Sequence, residues 1–504
     1  MINKIKDIVI SLSVLLVGYN SVSASQVQSR PNVLFIIADD LSYPYASAYG
    51  NKMISTPGFD YVANKGALFK NAFVTSPGCS PSRASILTGL YPWELKEAGT
   101  HASSFPKEFK VYPDILKETG YHTGYTGKGW GPGDWTVSDR ITNPAGPEYN
   151  QLKLEPPHSG ISNIDYTANF KDFLDKRKEG QPFCFWLGTL EPHRPFENMS
   201  WTKENLNLSN AVVPGFLPDN EIVRGDLLDF AVEVQWFDSH IMKCINELKN
   251  RGLFDNTIVI VTADNGMAFP KAKANCYDAG IHVPLAICWG NNIKPQQVID
   301  ELVSLVDVAP TLMDVIGINS KIKYSGTSLL PLLKGVKHHP QKMVFAGRER
   351  HSFSRFENKG YPMRCIRTEN YLLIHNYEPE RWPAGDPTEI KNGKLAKAHQ
   401  AYYDIDDAPS KEYLLENYKD PAVEKYFKSA TSKRPEFELF DIRNDEDCMT
   451  NLASEKRYTK ILYEMKKMLN NKLQETKDIR IGAYAEVWET YPRLEGKSRV
   501  FPKP

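Results

Sequence analysis

The sequence predicts an α/β fold in which a large, mostly parallel sheet is sandwiched by helices, with a smaller C-terminal sheet-plus-helix subdomain. Three observations predict it. Short apolar runs stop abruptly at polar residues, helical stretches alternate with those runs, and the polar stops carry chemically useful side chains. In chain order, Lys4 and Lys6 precede an apolar run from Ile8 to Val17, and Val22-Ser23-Ala24 offers small residues where a signal peptidase cuts. Residues 1–24 are therefore expected to be a signal peptide, and the mature protein to be exported, periplasmic or secreted. No cysteine follows that run, so no lipid anchor is expected. Val33 to Ala38 stops at Asp39-Asp40, Phe183 to Gly188 leads into Glu191-Pro192-His193-Arg194, and Ile258 to Ala263 stops at Asp264-Asn265-Gly266. Each reads as a strand buried on both faces, the habit of parallel sheets. Between them lie helical stretches from Pro113 to Thr119, closed by Gly120, and from Asp226 to Asn250, closed by Gly252. In the C-terminal part, Tyr371 to His375 reads as a strand, Ala384 to Ala396 as a surface loop and Thr459 to Leu473 as a helix. The main domain is placed at 25–370 and the subdomain at 371–504.

Composition narrows the functional classes. With 504 residues, 41% hydrophobic and 24% charged, the chain is globular and long enough for one large domain and one small one. Lys+Arg and Asp+Glu number 61 each, a balance unlike that of proteins coating nucleic acid or anionic membrane. Seven cysteines in so long a chain exclude a dense disulfide framework. Cys184 and Cys288, inside apolar runs, read as buried free thiols.

Ligands of parallel sheets sit beyond the carboxyl ends of the strands, so the polar stops should share one cleft. Asp39, Asp40, Asp264 and Asn265 would bring three carboxylates and an amide oxygen together, a donor set for a hard cation, Ca2+ or Mg2+. A turn and a helix cap would explain either pair alone; two pairs at separate strand ends favour metal. Cys79-Ser80-Pro81-Ser82-Arg83-Ala84-Ser85-Ile86-Leu87-Thr88-Gly89 reads as a helix opened near Pro81, with Cys79 at its positive end and Arg83 one turn on. By itself this describes an activated thiol in an electropositive niche.

Cys-x-Pro-Ser-Arg followed by Leu-Thr-Gly resembles the maturation motif of the formylglycine-dependent sulfatases. Asn32 to Asp40, Gly120 to Lys128, Ala263 to Gly266 and Val306 to Leu312 agree with it, and the likeness runs from about residue 30 to Asn451-Leu452-Ala453. Within that family, Ala263 to Pro270, Gly360 to Arg364 and Asn376 to Gly385 are most similar to the heparan N-sulfatases. The resemblance implies an alkaline-phosphatase-like fold and oxidation of Cys79 to formylglycine by a maturation enzyme. It further implies attack of the hydrated aldehyde on sulfur, giving a covalent sulfo-enzyme that collapses to expel sulfate. Calcium is the family's usual ion. Asp39, Asp40, Asp264 and Asn265 would hold it together with the modified Cys79. Arg83 and Lys128 would activate the nucleophile, Lys273 would bind sulfate, and His193 would protonate the leaving group.

One position departs from the family pattern. Where Lys-x-His is common, this chain has Lys128-Gly129-Trp130, and an indole only donates. Trp130 is expected either to stack on a sugar ring or to pack on Trp135 as a loop anchor. Arg350 and His351 are candidates for recognising the sugar, or else part of a solvated charged face. The expected activity is removal of sulfate from a sulfated saccharide, with N-sulfoglucosamine units ahead of 6-O- or 3-O-sulfated sugars. A phosphatase or phosphonate hydrolase on the same scaffold, and an inactive sulfated-glycan binder, are the competing readings.

Overall fold

The computed structural model describes residues 30–318 and 321–503; the expected leader at 1–24 lies outside the described residues. Seven strands form the main sheet: β1 (Asn32–Ala38), β2 (Ala67–Phe73), β3 (His122–Gly127), β4 (Phe183–Gly188), β5 (Thr257–Ala263), β6 (His282–Cys288) and β7 (Gln297–Ser304). Their order is β3-β4-β1-β5-β6-β2-β7. Only β6 runs against its neighbours, so the other six strands end at one edge of the sheet. In the centre β1 lies between β4 and β5, with Val33 opposite both Cys184 and Ile258. All residues of β1, β4, β5 and β6 are buried. Apolar side chains on both faces need helices on both faces, and this is what turns the chain into three layers.

The helix expected from Asp226 starts earlier and spans Glu221–Asn250. The reason is a cap: the Asn220 side chain accepts from the backbone N–H groups of Ile222 and Val223, so the helix nucleates before its apolar face begins. The Cys79–Thr88 helix is buried along its whole length and stops at Gly89, whose φ of 71° lets its N–H return to the Ser85 carbonyl.

A second, antiparallel sheet has the order β13-β10-β9-β8, built from β8 (Met343–Arg348), β9 (Met363–Thr368), β10 (Tyr371–Asn376) and β13 (Phe437–Asp441). The helix Thr459–Glu475 lays Met465, Leu469 and Leu473 in one cluster with Ile366, Leu373 and Leu439 of this sheet. The sheet begins at Met343, so the boundary expected at 370/371 would cut between paired β9 and β10. The expected loop from Ala384 to Ala396 holds a two-residue ribbon, β11 (Ile390–Lys391) with β12 (Lys394–Leu395). Arg367 of β9 bonds Asp278 at 3.0 Å and Tyr277 donates to Glu438 at 2.9 Å, tying the small sheet to the main domain. Among the described residues no helix is long and apolar enough to cross a membrane.

Candidate active site

Five strand ends supply the site: Asp39 and Asp40 follow β1, Asp264 and Asn265 follow β5, Lys128 follows β3, His193 comes after β4, and Cys79 lies beyond β2. Two glycines let these ends approach. A Cβ on Gly188 would stand 2.1 Å from the Lys128 carbonyl, and one on Gly127 1.9 Å from the Gly188 carbonyl. At both positions only glycine fits.

Asp39, Asp40, Cys79 and Asp264 each offer a ligand atom within 4.8 Å of the others, and all four are buried. The Cys79 thiol is 1% exposed and donates to Asp39 Oδ1 at 3.3 Å. Burial first, and the Asp39 carboxylate second, push that thiol well above its ordinary pKa. The activated thiol expected from the motif alone is thus corrected. Arg83, one helical turn on, bonds Asp264 at 2.7 Å and the carbonyls of Lys128 and Gly129 at 2.6 and 2.9 Å. Burial would also raise Asp39, but Lys128, at 2.6 Å, and Arg83 outweigh it and hold Asp39 well below the usual carboxylate range. Asp264, raised by burial and by Asp39, reaches about 7. Lys273 donates to Asp40 Oδ2 at 2.6 Å, an attraction that overrides burial and keeps its ammonium charged.

Three clustered carboxylates fit a hard cation by their chemistry. The buried Asn265 Oδ1, an acceptor without a donor, completes the fit, because such an oxygen is costly unless something positive meets it. Asp39, Asp40, Asp264 and Asn265 are the residues that would hold the ion.

Beside this cluster opens a cavity of about 850 Å3, lined by Cys79, Lys128, His193, Lys273 and His351 among others. His193 Nδ1 donates to the Arg194 carbonyl at 2.6 Å, so its Nε2 faces Asp40 at 3.8 Å. His351 lines the cavity, packed 4.4 Å from the ring of His101; burial holds both imidazoles neutral. Arg350 does not reach it. The guanidinium is buried and donates to the carbonyls of Tyr491 and Pro492, which removes it from sugar recognition. Trp130 borders the cavity but is 3% exposed. Its indole N–H donates to the Ser80 carbonyl at 3.0 Å and its ring stands edge-on to Phe105, not Trp135, leaving no free face for stacking.

The sequence reading missed Asp406, which lies 3.4 Å from Lys273 with one buried oxygen lacking a hydrogen bond, and His101. The signal for Asp406 was the acidic run Asp404-Ile405-Asp406-Asp407, which looks like any solvated loop until the fold places it.

The sequence profile of the family described as Sulfatase matches residues 31–318, and that described as N-sulphoglucosamine sulphohydrolase, C-terminal, matches residues 271–405. The chain is 27% identical to human N-sulphoglucosamine sulphohydrolase, over 90% of this chain and 91% of that one. It is 25% identical to an ulvan-active sulfatase of Formosa agariphila, over 88% and 75%. Among solved structures, one in complex with its substrate D-glucosamine-2-N,6-O-disulfate superposes with a TM-score of 0.62 at 20% identity, covering 89% of this chain and 98% of that one. The phosphonate monoester hydrolase of Agrobacterium radiobacter superposes with 0.64 at 17% identity, covering 94% and 100%. At these identities the superpositions establish the alkaline-phosphatase-like fold.

Proposed function

The chain belongs to the sulfatase family, and from that premise we propose that it removes sulfate from a terminal sulfated glucosamine, N-sulfate ahead of O-sulfate. The observation that carries this reading is the convergence of Asp39, Asp40, Asp264 and Asn265 on Cys79, with Lys128 and Lys273 beside a sugar-sized cavity. The N-sulfate preference is supported by the profile match over 271–405 and by the human relative.

Each side chain then has a task. Cys79, as a buried thiol donating to Asp39, is a poor nucleophile; oxidised to formylglycine, the same position offers an oxygen nucleophile through the aldehyde hydrate. Asp39, Asp40, Asp264 and Asn265 would hold a Ca2+ or Mg2+ ion, which supplies Lewis-acid polarisation of a sulfate oxygen. Lys273 and Lys128 face the cavity with fixed ammonium groups and stabilise negative charge growing on the sulfuryl oxygens. His193, with Nε2 toward the cavity, is placed to give a proton to the departing amine or alcohol. Trp130 offers no acceptor nitrogen, whereas the imidazoles of His101 and His351, which line the same cavity, do. Export to the periplasm or beyond remains part of this reading, on the basic start and the apolar run that follows.

Sulfate release from a panel of N-, 6-O- and 3-O-sulfated glucosamines tests it. N-sulfoglucosamine should turn over fastest, chelation should abolish turnover, and Cys79→Ala should lose it while melting within about 2 °C of wild type. Good turnover of the O-sulfated sugars with none of N-sulfoglucosamine would overturn the substrate. Full activity after chelation would overturn the ion.

A further inference from the structure

Residues 493–499, near the C-terminus, form part of the cavity wall. This segment is fixed there by backbone contacts to both domains: Leu494 N–H to the Ala102 carbonyl at 2.8 Å, and Ile390 N–H to the Val500 carbonyl at 2.7 Å. The Glu495 carboxylate accepts from Gly133 N–H at 2.7 Å. The segment brings Arg493, Lys497 and Arg499 to the cavity wall. Arg493 donates to the His351 carbonyl at 2.6 Å, while its Nε is buried without a partner. Arg499 donates to the Phe353 carbonyl at 3.1 Å and lies 3.9 Å over the Tyr403 ring.

These three cations differ from the others around the cavity. Lys128 pairs with Asp39, Lys273 with Asp40, and Arg194 with Asp226. None of the ion pairs among the described residues involves Arg493, Lys497 or Arg499, although Glu495 and Asp406 line the same wall. Glu495 is held by Gly133, and Asp406 pairs with Lys273. Arg493 and Arg499 are half-buried and Lys497 is exposed; with no described carboxylate within ion-pair distance of any of them, the three have charge to offer an anion, and a guanidinium fork fits sulfate and carboxylate alike. The cavity, at about 850 Å3, is also near the upper end of ligand sites, which run from ~300 to ~1,000 Å3.

We propose that Arg493, Lys497 and Arg499 form a second anion subsite, which holds a further sulfate or carboxylate of the same saccharide while the scissile sulfate sits at Cys79. The proposal rests on the sulfatase reading and adds to it that the preferred substrate carries at least two negative groups. The test compares three sugars: N-sulfoglucosamine, glucosamine 2-N,6-O-disulfate, and N-sulfoglucosamine linked to a uronic acid. The wild type should prefer at least one dianionic sugar over the monosulfated one by about tenfold in kcat/KM, and the preferred arm names the source of the second anion. Arg499→Gln, and the exposed Lys497→Gln as a substitution that folding tolerates, should each cut that ratio about fivefold, chiefly through KM. The preference should shrink with added salt. A wild type without preference, or variants that keep the ratio, would overturn the subsite. If none of the three sugars releases sulfate, calorimetry on the Cys79→Ala protein separates the two readings. Tighter binding of a dianionic sugar, weakened by Arg499→Gln, then leaves the subsite standing and overturns the sulfatase substrate; equal binding of all three overturns both.

Discussion

Trp130 illustrates how one side chain is assigned by its contacts and not by its position in a motif. Its ring packs edge-on to Phe105 and its N–H holds the Ser80 carbonyl, the residue after Cys79. Trp130→Ala should therefore destabilise by about 3–5 kcal/mol and leave KM on the sulfated sugar unchanged. Thermal melting and steady-state kinetics on one preparation check both halves, and a large rise in KM with an unchanged melt would show that the ring meets substrate after all. The same logic separates the residues that the sequence revealed from those it hid. Asp39, Asp40, Asp264 and Asn265 were legible because each pair follows directly on a buried strand, where local sequence and site geometry coincide. Arg350 and His351 were not separable, because neighbours in a chain point different ways: His351 enters the cavity and Arg350 turns toward Tyr491 and Pro492.

At the scale of elements, strands that are unbroken apolar runs ending at polar residues were readable and others were not. β1, β4 and β5 are continuous apolar runs, whereas β2 carries Lys70, which is exposed, and Asn71, at the point where it is bulged against both neighbours. β11 and β12 are two residues each and leave no periodicity to find. The decisive element feature is the tight junction of β3 and β4, where Gly188 touches the Lys128 carbonyl. Gly188→Ala forces this junction apart by the width of a methyl group and displaces Lys128 from Asp39. Such misplacement by about 1 Å should lower kcat roughly a hundredfold. Near-wild-type kcat in Gly188→Ala would mean the strand ends can move without moving the site.

Across the whole molecule, the two sheets share one apolar core, into which Val344, Ala346, Met363, Cys365, Leu372 and Phe440 of the small sheet pack, and a buried charge network lies beside it. Asp404 accepts from Arg348 at 2.7 Å, from Arg355 at 2.6 Å and from Ser352, and Arg348 also reaches the Ala274 carbonyl beside Lys273. Burial alone would raise the Asp404 pKa, but Arg355 and Arg348 reverse this and hold it well below the usual carboxylate range. A depressed carboxyl stabilises the fold fully above its unfolded pKa of about 3.9 and loses that contribution as pH falls through the folded value. Asp404→Asn should cost about 3–5 kcal/mol at pH 7, because it leaves two buried guanidinium groups unpaired, and should soften acid unfolding below about pH 4. Melting curves from pH 3 to pH 7 check it; parallel curves for wild type and variant across that range would show that Asp404 is not the group responsible.

The burial of Cys79 has a meaning in time as well as in space. A side chain 1% exposed, on a helix buried along its whole length, is closed to any enzyme that must surround it. If Cys79 is oxidised as proposed, the enzyme that does it would have to meet the chain before β1 and β5 are zipped together, since their ends shut the site. On that proposal maturation and folding would compete for the same polypeptide, and a molecule that folded first would be barred from conversion for as long as it stayed folded. The yield of active protein would then be a ratio of two rates, and a substitution that speeds folding would lower activity without touching a single catalytic group.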